Sequence, residues 1–182
     1  MAILDTSTIE TINEFDLEQI PSKLLRRSFG SGNDTIELKI FGFGKQENYL
    51  KKLSNVSAAD ISFLKDEGED DLSNFYKSID IFAMPSQSKY FGIEFEGLGL
   101  VYLEAGTYGL PVIVGASGGS VETILPGRSG FVVSSPKLLK EAILYFINNP
   151  EKIEEFGRAN KKFVEENYNW DKSINKLESN FI

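Results

Sequence analysis

Two glutamates and the glycines between them form the pattern in this sequence that most favours a ligand-binding site. Glu96 and Glu104 stand eight positions apart, and Gly97 and Gly99 follow the first of them. A carboxylate accepts two hydroxyl hydrogen bonds at once, which suits a cis-diol. Glycines let a turn take positive φ angles, so backbone N–H groups can approach an anion. The pattern predicts a site for an anionic ligand that carries hydroxyl groups.

Residue types that are absent narrow the chemistry further. The chain contains no Cys and no His, which excludes disulfides, Cys or His metal sites and Ser-His-Asp or Cys-His nucleophiles within it. Only carboxylates, amines, hydroxyls and backbone groups of this chain can therefore act as an acid, as a base or as ligand-binding groups. The net charge of −8 argues against a nucleic-acid partner, because a phosphate backbone needs a basic face. A phosphate could still be held locally by backbone donors.

The elements around the two glutamates must bring backbone donors together. Apolar runs predict buried strands at 79–84 and 111–114, and a helix at 98–108 lies between them. The first turn of a helix has unpaired N–H groups and a positive dipole end. We therefore expect the amides of Leu98, Gly99 and Leu100 to face an anion. Glu104 would lie about 9 Å along the helix axis from Leu98.

The rest of the chain alternates in the same way. Further strands are predicted at 35–41, 59–64 and 131–133, and further helices at 46–53, 72–78, 121–125, 136–146, from Pro150 onward and at 170–181. This alternation predicts an α/β fold, a doubly wound parallel sheet in a three-layer α/β/α arrangement. Ligands of such sheets bind beyond the carboxyl ends of the strands. We expect a domain at 35–170, a poorly defined segment at 1–34, and a C-terminal helix at 171–182 packing on the domain.

The ends of the chain and its hydropathy bear on location. The N-terminus lacks the basic and apolar regions of a signal peptide, and no stretch approaches eighteen uninterrupted apolar residues. The expectation is a cytoplasmic protein with at most peripheral membrane contact.

The central stretch also resembles a known family. The string EGLGLVYLEAGTYGLPVIVGASGG resembles the E-x7-E signature of retaining GT-B glycosyltransferases of group 1, in their C-terminal, nucleotide-sugar-binding domain. GFGK, IDIFAMPS, GLPVI, SGGSVET and EENYNW are similar to strings of that domain, so the resemblance covers residues 36–170. The wording of FAMPSQS and GASGGSVET is most similar to the phosphatidylinositol mannosyltransferase branch. That branch implies a GDP- or UDP-linked hexose donor, with GDP-mannose favoured.

The resemblance implies roles for the two carboxylates. Glu104 would bind the ribose of the donor. Glu96 would contact the donor sugar and stabilise oxocarbenium charge during a front-face displacement, while the turn at Gly97, Leu98, Gly99 and Leu100 holds the diphosphate. The resemblance also implies that no metal or other cofactor is bound.

Two features remain open to a structural interpretation. Glu69 would contact the edge of the base, or it belongs with Asp66, Glu67, Asp70 and Asp71 to a solvated acidic run that complements a helix dipole. Gly118 and Gly119 either cradle the sugar or only tighten a turn.

The chain departs from the family in two respects. The domain normally opens with an Arg and a Lys that bind the diphosphate, and Lys23, Arg26, Arg27, Lys39 and Lys45 do not occur in that context. A complete enzyme also has an N-terminal acceptor domain, often with a catalytic His. We therefore expect a donor domain for the transfer of a hexose to an envelope lipid or polysaccharide, either as a fragment of a longer enzyme or truncated gene product, or with a separate acceptor-domain subunit as a partner. The alternatives are a non-catalytic or degenerate nucleotide-sugar-binding module and, less favoured by the glutamate pair, a nucleotide-sugar epimerase.

Overall fold

Strands and helices alternate along the part of the chain that the structure describes. A computed structural model describes residues 36–42, 44, 47–55, 60–65, 68, 71–86, 97–169, 172, 174, 178 and 179. The strands are β1 (Glu37–Phe41), β2 (Asp60–Leu64), β3 (Phe82–Met84), β4 (Val112–Gly115) and β5 (Gly130–Val133). The α-helices are α1 (Glu47–Ser54), α2 (Asp71–Lys77), α3 (Leu100–Thr107), α4 (Pro136–Asn148) and α5 (Pro150–Asn167), and a 3₁₀ helix, Gly118–Thr123, lies between β4 and β5.

All strand pairs among these elements are parallel. β1 pairs with β2, and β4 lies between β3 and β5 in a three-stranded sheet. The register aligns Phe82 with Val112 and Val112 with Gly130. A Cβ at Gly130 would overlap the carbonyl oxygen of Val112, so only glycine fits at that point. Parallel strands joined by helices confirm the predicted α/β class.

The central strand β4 divides the core into two layers. Val112, Ile113 and Val114 are fully buried, and successive side chains of a strand point to opposite faces. Val112 and Val114 belong to a cluster with side chains of α2 and α3, whereas Ile113 packs with side chains of α4 and α5. Each such aliphatic side chain contributes about 1.5–3 kcal/mol by burial. The helices therefore cover both faces, as the three-layer prediction requires.

Three elements near the predicted site differ from their predicted bounds in ways that bear on it, and the bounds of the other described elements differ by at most two residues. The strand predicted at 79–84 begins only at Phe82, where its N–H first bonds the carbonyl of Pro111, and Asp80 before it is exposed. The helix predicted at 98–108 begins at Leu100, because Gly99 has left-handed angles that a right-handed helix cannot include. The helix predicted at 121–125 is the 3₁₀ helix, and it starts earlier, at Gly118.

The predictions for the ends of the chain lie largely outside the described residues. This holds for the whole segment 1–34 and for most of the helix predicted at 171–182, of which only four residues are described. No described helix is long and apolar enough to cross a bilayer.

Candidate functional site

The predicted site lies where β3 and β4 end. Both strands are parallel, so Pro85 and Ala116, which follow them, lie at the same edge of the three-stranded sheet. The hydroxyl of the fully buried Tyr102, on α3, donates to the carbonyl of Met84 at 2.6 Å. This bond fixes α3 against the carboxyl end of β3. The N-terminus of α3 is thereby held at the edge where α/β sheets bind ligands.

The cap residue of α3 offers the first turn no side-chain hydrogen bond. Gly99 is this N-cap, with φ 72° and ψ 62°. The amide of Tyr102 bonds the carbonyl of Gly99 at 3.0 Å. Within the described part of the chain, the amides of Leu98, Gly99 and Leu100 donate to no backbone carbonyl. Since no acidic residue occupies the first turn, these amides can donate hydrogen bonds to an external anion.

The two glycine segments contact each other directly. The N–H of Gly119 donates to the carbonyl of Gly97 at 2.9 Å. A Cβ at Gly119 would lie 2.6 Å from that carbonyl oxygen, so a side chain there would separate the two segments. The amide of Gly119 is thus engaged within the protein, and it holds the turn that precedes α3.

The 3₁₀ helix behind this turn is fixed by hydroxyl groups. Ser120 is fully buried, and its hydroxyl lies 2.6 Å from the carbonyl oxygens of both Gly115 and Ser117. The hydroxyl of Tyr168, just after α5, donates to the carbonyl of Glu122 at 2.6 Å. Burial and the nearby Glu122 carboxylate raise the pKa of Tyr168, which keeps it a donor.

Glu104 is an exposed residue of α3 between the buried side chains of Leu103 and Ala105. Because α3 begins at Leu100 and not at Leu98, Glu104 lies about 6 Å along the helix axis from its first residue, not the predicted 9 Å. Its Oε2 accepts a hydrogen bond of 3.0 Å from the hydroxyl of Tyr76 in α2. One carboxylate of the predicted pair therefore lies on the helix whose first turn is open, in a position supported by a second helix.

Several predicted site residues lie outside the described residues. Glu96 and Glu69 are among them. Lys23, Arg26, Arg27 and Lys45, the cations that do not fit the family's diphosphate-binding context, also lie outside the described residues. Lys39 is described, and its ammonium donates to the carbonyl of Ser78 at 3.1 Å and lies 3.5 Å from the Glu37 carboxylate. Among the residues that are described, no group of three or more acidic side chains could hold a metal ion.

Sequence reasoning missed the tyrosines that support the site. Tyr76 and Glu104 are 28 positions apart, and Tyr168 and Glu122 are 46 positions apart. No periodicity links residues at such distances. The one available signal for Tyr168 was its place in the string EENYNW.

Comparison with protein families gives one match over most of the chain. A family model described as glycosyl transferases group 1 matches residues 22–163. A GDP-mannose-dependent monoacylated alpha-(1-6)-phosphatidylinositol monomannoside mannosyltransferase of Corynebacterium glutamicum is 36% identical over 137 residues. The match covers 74% of this chain and 36% of that protein. The chain thus spans little more than a third of the relative's length.

Solved structures share the fold at lower identity. Sucrose-phosphate synthase from Thermosynechococcus elongatus has a TM-score of 0.68 and 21% identity, over 96% of this chain and 42% of that chain. The Anabaena protein HepE, solved in complex with UDP and glucose, has a TM-score of 0.66 and 16% identity, over 96% of this chain and 43% of that one. Both likenesses support the architecture described above.

Proposed function

Because this chain belongs to the group 1 glycosyl transferases, we propose that it binds a nucleoside-diphosphate hexose as the donor for retaining transfer of the sugar. The proposed donor is GDP-mannose, since the Corynebacterium relative is named as GDP-mannose-dependent. The proposed acceptor is an envelope lipid or polysaccharide. Transfer would require an acceptor site, which we assign to a separate domain or subunit.

The observation that carries this proposal is the open first turn of α3 with Glu104 on the same helix. The amides of Leu98, Gly99 and Leu100, which donate to no backbone carbonyl among the described residues, would hold the diphosphate, because they lie at the positive end of the helix dipole. Glu104 would accept hydrogen bonds from the two ribose hydroxyls. A carboxylate offers about four acceptor positions, so the bond from Tyr76 leaves room for both hydroxyls.

The same groups would assist the chemical step. When the bond between the anomeric carbon and the diphosphate oxygen breaks, negative charge grows on the leaving diphosphate and positive charge on the sugar ring. Fixed backbone donors stabilise the former, as in an oxyanion hole. We assign Glu96 to the sugar, where its carboxylate would offset the oxocarbenium charge, and Glu69 to the edge of the base. The proposed reaction uses no bound metal or other cofactor.

Calorimetric titration of the 182-residue chain with GDP, UDP and GMP tests donor binding. We expect saturable binding of GDP, weaker binding of UDP, and a clear loss for GMP, which lacks the second phosphate. Glu104→Ala should weaken GDP binding by at least roughly 10- to 100-fold, because even one hydrogen bond to a charged group contributes about 1.5–3 kcal/mol. Glu165→Ala, which removes an exposed carboxylate of α5, is the matched control and should bind like the wild type. No saturable binding of either diphosphate would refute the proposal.

A binding module without transferase activity is the second candidate, because every contact described above concerns the donor alone. An assay with GDP-[¹⁴C]mannose and a membrane-lipid extract distinguishes the two candidates. Label that reaches lipid only when Glu96 is intact supports a transferase, and donor binding without transfer, also in the presence of a candidate acceptor subunit, supports the module.

A further inference from the structure

Tyr76 forms a buried link between α2 and α3. It is only 2% exposed, and its ring lies 5.6 Å from the ring of Phe82 and 5.1 Å from the ring of Tyr108, which is stacked on it. Packing on several sides fixes the position of the ring, and therefore the position of its hydroxyl. That hydroxyl lies 3.0 Å from Oε2 of Glu104 and 3.4 Å from the carbonyl oxygen of Val101, so the carboxylate is its nearer acceptor.

The link has a fixed direction, from the tyrosine to the carboxylate. Burial, and after it the charge of Glu104, raises the pKa of Tyr76 well above its ordinary value. Tyr76 therefore stays protonated at any physiological pH, and its hydroxyl donates a hydrogen bond to the Glu104 carboxylate. Glu104 is itself exposed, and a carboxylate offers about four acceptor positions, so the bond from Tyr76 leaves others for a ligand.

We propose that Tyr76 is a positioning residue that holds the Glu104 carboxylate ready for the ribose of the donor. This inference rests on the proposed function, because it needs Glu104 to bind the ribose. A glutamate on a helix surface samples several side-chain conformations, and binding must select one of them. The buried hydroxyl selects that conformation in advance, so the ligand does not bear the cost of ordering the side chain. Tyr76 itself touches no substrate.

The test compares two ligands that differ only in the ribose hydroxyls. Calorimetry would measure binding of GDP and of 2′,3′-dideoxy-GDP to the wild-type chain, to Tyr76→Phe and to Tyr108→Phe. Tyr76→Phe keeps the ring and removes the hydroxyl. Tyr108→Phe is the matched control, since it likewise removes only a hydroxyl, from the ring that is stacked on Tyr76. Unfolding midpoints establish that each variant is folded.

Tyr76→Phe should weaken GDP binding by about three- to tenfold, in line with the loss of preorganisation, and leave binding of the dideoxy ligand unchanged. Tyr108→Phe should change neither. In a Glu104→Ala background, Tyr76→Phe should have no further effect on GDP, because the carboxylate it positions is gone.

Equal losses for both ligands, or no loss for either, would overturn the role of Tyr76 while leaving the proposed function intact. A further loss of GDP binding in the Glu104→Ala background would also overturn it. Failure of the wild-type chain to bind either ligand would instead refute the proposed function, and the role of Tyr76 with it.

Discussion

The backbone N–H of Gly119 bonds the carbonyl of Gly97 at 2.9 Å. This single bond joins two segments that are separate in sequence, the turn before α3 and the start of the 3₁₀ helix. The turn that presents the free amides of α3 therefore depends on the position of the 3₁₀ helix. Glycine is needed at 119 because the carbonyl of Gly97 occupies the place of a side chain.

Gly119→Ala is expected to impair nucleotide binding more than it impairs folding. Its Cβ would lie 2.6 Å from the carbonyl oxygen of Gly97, and two backbone segments must separate to relieve the overlap. The free amides before α3 would then move from their places. We expect GDP affinity to fall at least about tenfold, because a displaced donor loses its hydrogen bond to the charged ligand. Calorimetry on the folded variant measures this loss.

Gly157→Ala provides the matched control for that prediction. A Cβ at Gly157 would overlap the carbonyl oxygen of Gly109, which follows the C-terminal end of α3. Gly157→Ala is therefore the same substitution with the same kind of clash, but away from the N-terminus of α3. We expect a lower unfolding midpoint but unchanged GDP affinity of the folded protein. Equal affinities of the two alanine variants would contradict the specific role of Gly119.

Gly99→Ala should destabilise the chain by about 1–2 kcal/mol, because a residue with a Cβ pays that penalty in the left-handed region. Gly99→Asn should lose less, since asparagine adopts this conformation more readily. Urea unfolding monitored by circular dichroism would measure the free energy of unfolding of both variants. A Gly99→Ala variant as stable as the wild type would show that Gly99 does not need its angles of φ 72° and ψ 62°.

The sequence predicted most of the fold because buried elements carry strong local patterns. The apolar run of β4 and the three- and four-residue spacing of apolar positions in α4 gave bounds close to those observed. The predicted start of β3 was wrong, because Ile79 and Ile81 are apolar but precede Phe82, the first residue that bonds to the neighbouring chain segment at Pro111. Hydrophobicity alone does not reveal where a strand begins to pair.

The candidate site was only partly predictable. The glycines at 97 and 99 were equally able to take a positive φ by their residue type, and it is at Gly99 that the structure shows one, at the cap of α3. The support of Glu104 by Tyr76 could not be predicted, because it depends on how α2 packs against α3. Local sequence thus predicted the glycine turn before α3, whereas tertiary packing determines which side chains contact Glu104.

The raised pKa of Tyr76 predicts a loss of stability at alkaline pH. In the unfolded chain a tyrosine releases its proton near pH 10, but in the folded chain Tyr76 retains it. Above pH 10 the unfolded state therefore binds fewer protons than the folded state, and the free energy of unfolding decreases as pH rises. At pH 11 this single group should account for about 1.4 kcal/mol.

Urea unfolding of the wild type, Tyr76→Phe and Tyr108→Phe at pH 8 and pH 11 measures this effect. Tyr76→Phe should lose about 1.4 kcal/mol less than the wild type between the two pH values. Tyr108→Phe keeps the buried hydroxyl of Tyr76 and should therefore follow the wild type. Parallel decreases in all three proteins would mean that Tyr76 ionises as readily in the folded state as in the unfolded state.

Tyr168→Phe should loosen the 3₁₀ helix without altering the core. The hydroxyl of Tyr168 is bonded to the carbonyl of Glu122 at 2.6 Å, and its removal should destabilise the chain by about 0.5–1.5 kcal/mol. Because Ser120 still holds the start of this helix through Gly115 and Ser117, the change should be local. Hydrogen exchange of the amides at 120–123 should accelerate, whereas exchange in β4 should follow only the small change in global stability. Tyr145→Phe, an exposed tyrosine of α4, is the control, and equal exchange at 120–123 in both variants would show that the bond to Glu122 does not restrain this helix.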